Sequence, residues 1–237
     1  MLTSLLTYIP LWSLLNRVIF NGLYYFCEPI FSKENIKLEK ITSNIVSSYH
    51  GMKCVQLIIN EYRKNDILFT YYRENNYESV VAFSVSYFIY DILNDYRNKI
   101  LTYPFFIHHS LSIFSGLYLS SVELSQLYVV ALFVELSNLN LNIKDIMDIL
   151  DMKNLDFYMV NGIIFGITFF LSRIVYGPIA LWSAYILTNE VNTIEHRIHY
   201  KIPLILSGSF ITLNLFWFQK IVSIVIYKYN KYRNYNI

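Results

Sequence analysis

A helix needs roughly 20 mostly apolar residues to cross the hydrocarbon layer of a bilayer. This chain presents seven such stretches in succession: Leu2–Phe26, Ile41–Asn60, Glu78–Asp95, Tyr103–Ser121, Leu124–Asn142, Phe157–Leu187 and Ile202–Tyr227. Little sequence is left between them, so the spacing excludes a soluble core of strands or layered sheets. Composition agrees. Hydrophobic residues make up 55% of the 237 and charged residues only 15%, where a soluble domain needs about a quarter charged to cover its surface. The mean hydropathy is +0.37. The expected fold is all-α, a polytopic transmembrane bundle of about seven spans.

The first stretch is the weakest, because Asn16 and Arg17 interrupt it. It lacks a basic leader and a small-residue cleavage site, so it reads as a retained anchor. The sixth is long enough to tilt, or to break near Gly177-Pro178, because proline removes a helical hydrogen bond. Residues 1–40 are then an N-terminal anchor and loop, 41–227 the main transmembrane domain, and 228–237 a short basic tail suited to anionic headgroups. The loops carry their lysines and arginines unevenly. Lys33, Lys37, Lys40, Arg97, Lys99, Lys144, Lys153, Lys228, Lys231 and Arg233 share one side, and Arg63, Lys64, Arg73, Arg197 and Lys201 the other. That asymmetry predicts a cytosolic C-terminus.

A net charge of +2 without a long basic run excludes nucleic acid as a partner. The partners expected are the bilayer and its lipids. Cys27 and Cys54 lack metal-type or disulfide-framework spacing. Cys27 lies at a predicted membrane edge, where acylation occurs. Abundant Asn, Ile, Tyr and Lys fit an AT-rich genome such as a protist's or that of a large DNA virus, in which case the membrane is the host's.

Polar groups at membrane depth carry the functional signal, since each costs a few kcal/mol on insertion scales. Ser43, Ser47, His50 and Cys54 form one helical stripe. Tyr87, Tyr90 and Asp91 follow on the third span, with Asp95 a turn further on. His108 and His109 are adjacent on the fourth, and Glu135, Asn138 and Asn142 share a face of the fifth. Asn161 and Arg173 sit on the sixth, Asn214 on the seventh. These groups must converge on a shared interior. They serve there either as interhelical glue or as the wall of a wet cavity in which Asp91, Glu135, Arg173 and the histidines neutralise one another. His50 alone reads as a packing histidine.

No Walker, nucleophile-elbow or dinucleotide glycine pattern occurs. Five histidines are too few for a membrane di-iron centre. Glu195, His196 and His199 have a spacing that a zinc could use, but a solvated loop is the plainer reading, and no metal is expected. An adjacent histidine pair in a dry interior suits proton abstraction from an amine or hydroxyl during acyl transfer.

Four segments in order carry a family resemblance: Ser86-Tyr87-Phe88-Ile89-Tyr90-Asp91-Ile92-Leu93, Phe106-Ile107-His108-His109, Glu135-Leu136-Ser137 with Asn142, and Phe169-Phe170-x-x-Arg173. They resemble the TLC domain shared by translocating-chain-associated membrane proteins, ceramide synthases and CLN8-like proteins, most nearly its small TLC-domain-containing branch. His50 stands where that branch carries an early histidine. The resemblance covers roughly residues 41–227. It implies six helices ringed around a lipid-sized interior, usually in the endoplasmic reticulum, with the first stretch as an extra helix, and a role in lipid synthesis, transport or sensing.

Three functions are open at this point. The first is lipid homeostasis, by binding, sensing or distributing a membrane lipid in a cavity lined by His50, Tyr87, Tyr90, Asn138, Asn142 and Arg173, with no cofactor. The second is a lipid N- or O-acyltransferase with acyl-CoA as co-substrate, using His108 and His109 with Glu135 and Asp91 as catalytic groups. The ceramide-synthase resemblance stops at the histidine pair, because Glu135-Leu136-Ser137-Asn138 replaces the His-Asp-x-x-Asp run. The third, a proton-linked transporter, lacks the inverted halves such folds carry.

Overall fold

The computed structural model describes residues 1–31, 35–64, 67, 68, 70, 77–190 and 201–235. Among them the chain is helical throughout, without a strand. The first four helices are α1 (Leu2–Phe31), α2 (Asn35–Lys64), α3 (Glu78–Arg97) and α4 (Tyr103–Ser121). Two composite rods follow. In the first, α5 (Ser125–Ala131) runs through a 3₁₀ turn (Leu132–Ser137) into α6 (Asn138–Ile149). In the second, α7 (Asp156–Phe169) runs through a π-helical turn (Phe170–Val175) into α8 (Tyr176–Glu190). The last helix is α9 (Lys201–Tyr235). Each of the seven apolar stretches falls on one helix or rod, and the fourth coincides with α4 end to end.

Two of these, Asp156–Asn189 and Lys201–Tyr227, are long and apolar enough to cross a membrane by length and composition alone. The others are diluted by polar residues, and those residues point inward: Ser43, His50, Ser84, Asp91, His108, His109 and Glu135 are all buried. The apolar residues of α7–α9 do the reverse. Ile163, Ile167, Leu171, Trp182, Ile205, Phe216 and Ile224 are each more than 40% exposed. Such a belt would aggregate in water, and acyl chains match it.

The helices pack pairwise as α2 on α3, α3 on α4, α4 on α9, α9 on α8, α7 on α6 and α6 back on α2, while α1 lies against α2 and α3. Trp12 docks α1. Its indole N–H donates to Ser86 Oγ at 3.1 Å, and its ring meets those of Phe83 and Tyr87 at 4.9 and 5.3 Å. Two glycines allow the closest approaches. A Cβ at Gly51 would meet the Glu135 carbonyl oxygen at 3.2 Å, and one at Gly116 would sit 2.4 Å from Val85 Cγ2 and 3.1 Å from Tyr128 Cε2.

The irregular turn of the sixth stretch differs from the expectation. Pro178 lies inside α8 without interrupting it, and the helix widens instead over Phe170–Val175, one turn earlier. The physical reason is the ring of Pro178, which crowds the carbonyl four residues back. That carbonyl belongs to Ile174, inside the π turn, where the wider spiral moves it out of the way.

Gly116→Ala should lower stability by about 1–3 kcal/mol through overpacking. Gly22→Ala and Gly162→Ala, where nothing lies within 4 Å, should be neutral or slightly stabilising because alanine favours the helix. Thermal midpoints in detergent would distinguish the two sites.

Candidate functional site

A cavity of about 570 Å³ occupies the interior between α2, α3, α4, α6, the two irregular turns and α9. That volume falls in the range of small-molecule sites. Its wall includes Tyr87, Asp91, His108, His109, Glu135, Asn138, Asn142 and Arg173, so eight of the ten candidate residues share one surface. The other two stand apart. His50 is stacked on the cavity-lining Tyr87 with ring centroids 3.9 Å apart, fully buried and outside the wall. Tyr90 is also buried but precedes Asp91 by one position, which turns it about 100° away on the helix.

Both irregular turns exist where the polar residues are. Glu135 and Ser137 lie on the 3₁₀ turn and Arg173 on the π turn, and the two turns pack on each other. Arg173 donates Nε to Ser137 Oγ at 2.9 Å, Nη1 to Asn214 Oδ1 at 3.0 Å and Nη2 to Asn138 Oδ1 at 2.7 Å. The rings of Phe169 and Trp217 cover its guanidinium at 5.2 and 5.8 Å. Asn138 in turn donates to Glu135 Oε2 at 2.6 Å. Arg173 and Glu135 therefore neutralise each other through Asn138 rather than by direct contact.

Across the cavity, Ser43 Oγ lies 3.3 Å from an oxygen of both Asp91 and Asp95. His109 Nδ1 is 3.4 Å from Asp91 Oδ2. His108 stands between Phe88, Phe210 and Trp217, with ring centroids 6.1, 5.8 and 5.4 Å away. Behind this wall His50 Nε2 meets Ser84 Oγ at 3.0 Å and Cys54 Sγ at 3.3 Å, and its Nδ1 faces Glu135 Oε2 at 3.9 Å. Tyr128 donates to Ser84 Oγ at 3.4 Å. Buried polar atoms are nearly always paired, yet Nδ1 of His50, His108 and His109 forms no hydrogen bond within the protein. Within the cavity wall, His108 Nδ1 is therefore without a protein partner, and His109 Nδ1 faces only the Asp91 carboxylate.

Lys40, Asp95, Thr102, Lys144, Asp145, Asp148 and Lys220 line the opposite end of the cavity. They come from the start of α2, the residue before α4, the ends of α3 and α6 and the middle of α9, the side on which Arg97, Lys99 and Lys153 also lie among the described residues. Lys144 bridges Asp148 at 2.7 Å and Asp145 at 3.5 Å. Burial pushes the Asp148 carboxyl up, but the bridging Lys144 ammonium, with a hydrogen bond from Tyr158 and the Lys153 charge, outweighs it and holds the group below its ordinary range. Lys220 lies over Phe216, with Nζ 4.4 Å from the ring centroid. The sequence reading missed Lys220, Ser137 and Trp217. Lys220 lies inside the seventh stretch, where only its own charge marks it, and nothing in spacing alone marks a serine or a tryptophan as a guanidinium partner. The side chains of Cys27, Lys228, Lys231 and Arg233, and the Glu195, His196 and His199 group, lie outside the described residues.

The family model of the TLC domain (TRAM, LAG1, CLN8) matches residues 9–223, nearly the whole chain including most of α1. The chain belongs to the TLC domain family. It is therefore a membrane protein of a lipid-related family. No curated protein matches it.

Arg173→Met should cost about 3 kcal/mol, the scale of removing one charge from a buried set. Adding Glu135→Gln should return part of that loss, and strictly additive thermal shifts would show the two charges to be independent. Lys144→Met should lower the midpoint at neutral pH. A carboxylate held low contributes above its ordinary range and loses that contribution as pH falls through its own lower value, so the difference from the intact chain should vanish on acidification.

Proposed function

We propose that this TLC-domain protein binds a membrane lipid in its interior cavity and thereby senses or adjusts membrane lipid composition. The observation that carries the reading is the cavity of about 570 Å³ inside a bundle with an apolar outer belt, walled by His108, His109 and Asp91 on one side and Glu135, Asn138 and Arg173 on the other. The belt keeps the bundle among acyl chains, and the wall offers donors and acceptors to a lipid's polar part. The closed order of helix contacts from α2 round to α9 and back supports a six-helix ring with α1 packed outside. The lysines gathered at the Lys40–Lys144–Lys220 end support a cavity that opens to the cytosol, with the C-terminus on the same side, since lysine and arginine rather than net charge set orientation. The endoplasmic reticulum or another internal membrane is the setting proposed.

One observation favours a second reading, a lipid acyltransferase. His109 lies 3.4 Å from the Asp91 carboxylate, the arrangement that orients an imidazole as a general base. An acceptor amine or hydroxyl would give its proton to the imidazole and attack the thioester carbonyl of acyl-CoA. The carbon–sulfur bond would break, and the thiolate would take up the proton. Binding needs only the cavity, whereas this step also needs the dyad.

Whole-lipid mass spectrometry on cells expressing the chain separates the readings. The comparison set is a His108→Ala/His109→Ala double variant, Glu135→Gln and Asp91→Asn, at matched protein levels. A lipid class that changes with the intact chain and not with the variants supports a functional cavity. Turnover of acyl-CoA by purified protein, lost at least tenfold in Asp91→Asn, would favour the enzyme. Variants indistinguishable from the intact chain would reduce the cluster to interhelical glue.

A further inference from the structure

A second, smaller cavity of about 80 Å³ lies beyond the first. The two share Phe88, His108 and Glu135 as walls, so these three side chains form a partition between them. The characters of the two spaces differ. The large cavity carries Asp91, Asn138, Asn142, Arg173 and the charged end near Lys220. The small one is lined mostly by apolar residues, among them Leu119, Ala131, Leu132, Ala180, Leu206 and Phe210. It sits among the end of α4, the start of α5 and the starts of α8 and α9, away from the charged end.

We infer that the small chamber receives the end of an unbranched aliphatic chain, and that Ala131 and Gly177 set how long that chain can be. The inference rests on the lipid-binding reading and names which part of the lipid goes where. A polar headgroup fits the wall of Asp91, His109 and Asn142, and the space directly behind the Phe88–His108–Glu135 partition is the apolar chamber. Since roughly 10–15 Å³ of such space suffices for one water, the chamber of about 80 Å³ takes a chain end of a few methylene groups. The polar residues on its wall include Ser112, Ser115 and Tyr128, whose hydroxyls already donate to His108 O, Leu111 O and Ser84 Oγ, so hydrocarbon fills the space better than water does.

Two positions can shorten the chamber with little damage. Both Gly177 and Ala131 line it, and a Cβ at Gly177 would meet only Ile211 Cγ1, at 3.6 Å, an ordinary contact. Gly177→Val and Ala131→Leu act from different helices and each displaces about three carbons of chain. The common chemistry, a saturated chain, can arrive as a free acid or inside a phospholipid, so both forms are tested.

The experiment is photolabelling of the purified full chain, with attachment sites mapped by peptide mass spectrometry. The probes are saturated fatty acids from decanoic to octadecanoic, and the matching lysophosphatidylcholines, with a diazirine at the chain end. A second set carries the diazirine beside the head. The expected result is tail labelling of chamber residues such as Leu206 or Phe210, and an optimum chain length about three carbons shorter in both variants, each with an intact thermal transition. Whichever probe series labels the chamber identifies the carrier of the chain. Head probes in the large cavity with tail probes only on outward residues such as Phe170 and Ile205 would overturn the chamber assignment and leave the lipid-binding reading standing. An unchanged length optimum in both folded variants would also overturn it. If head probes fail to label the large cavity, the lipid-binding reading itself falls.

Discussion

The guanidinium of Arg173 is the constraint around which the interior is organised. It is buried, cannot lose its proton, and has no water in a hydrocarbon layer to satisfy its donors. Its side-chain acceptors therefore come from three different places: Ser137 at the end of the 3₁₀ turn, Asn138 at the start of α6 and Asn214 on α9. Meeting those acceptors fixes the second rod against the first and against α9 at a single height. Phe169 and Trp217 cover what remains of the cation. Without this anchor three helices would have apolar contacts alone to set their register, and lipid competes with those on nearly equal terms.

The price of the arrangement is paid in helix geometry. A 3₁₀ turn on one rod and a π turn on its neighbour are both less favourable than continuous α-helix, and such departures cluster at functional sites. Here their effect is local and opposite in sense. The tighter spiral of Leu132–Ser137 sets Glu135 and Ser137 on the inner face close together, and the wider one of Phe170–Val175 swings Arg173 across to them. Gly51 completes the fit, because the Glu135 carbonyl oxygen approaches to a distance that leaves little room for a Cβ.

Much of this was legible in the sequence, and the parts that were not share a cause. Helix positions follow from apolar run length, which is why the fourth stretch coincides with α4. The inward faces follow from helical spacing, which places Tyr87 with Asp91 and Glu135 with Asn138 and Asn142. What spacing cannot convey is which helices are neighbours and where a helix changes pitch. The stripe containing His50 was read as a single face, yet about two turns separate Ser43 from His50 in depth. Ser43 reaches Asp91 and Asp95, while His50 packs behind Tyr87 against Ser84. Glu135, Arg173, Asp91 and the histidines are expected from the sequence to neutralise one another in a shared interior, without a specified route. The actual link runs through Asn138, because the π turn brings Arg173 level with the amide rather than the carboxylate.

The two walls of the large cavity are not equivalent, and the difference bears on what it can hold. On the α5–α9 side, hydrogen bonding ties Arg173, Asn138 and Glu135 into a closed set that has little left for a ligand beyond its net field. On the α3–α4 side, Asp91 is shared with Ser43, while His108 and His109 each keep an uncommitted ring nitrogen. A ligand that exchanges protons or accepts a hydrogen bond therefore meets reactive groups on one wall only, with a fixed electrostatic backing opposite. Both the binding and the acyl-transfer readings place the lipid's polar centre at the histidine pair. They part only on whether Asp91 orients His109 for chemistry or merely holds it in place.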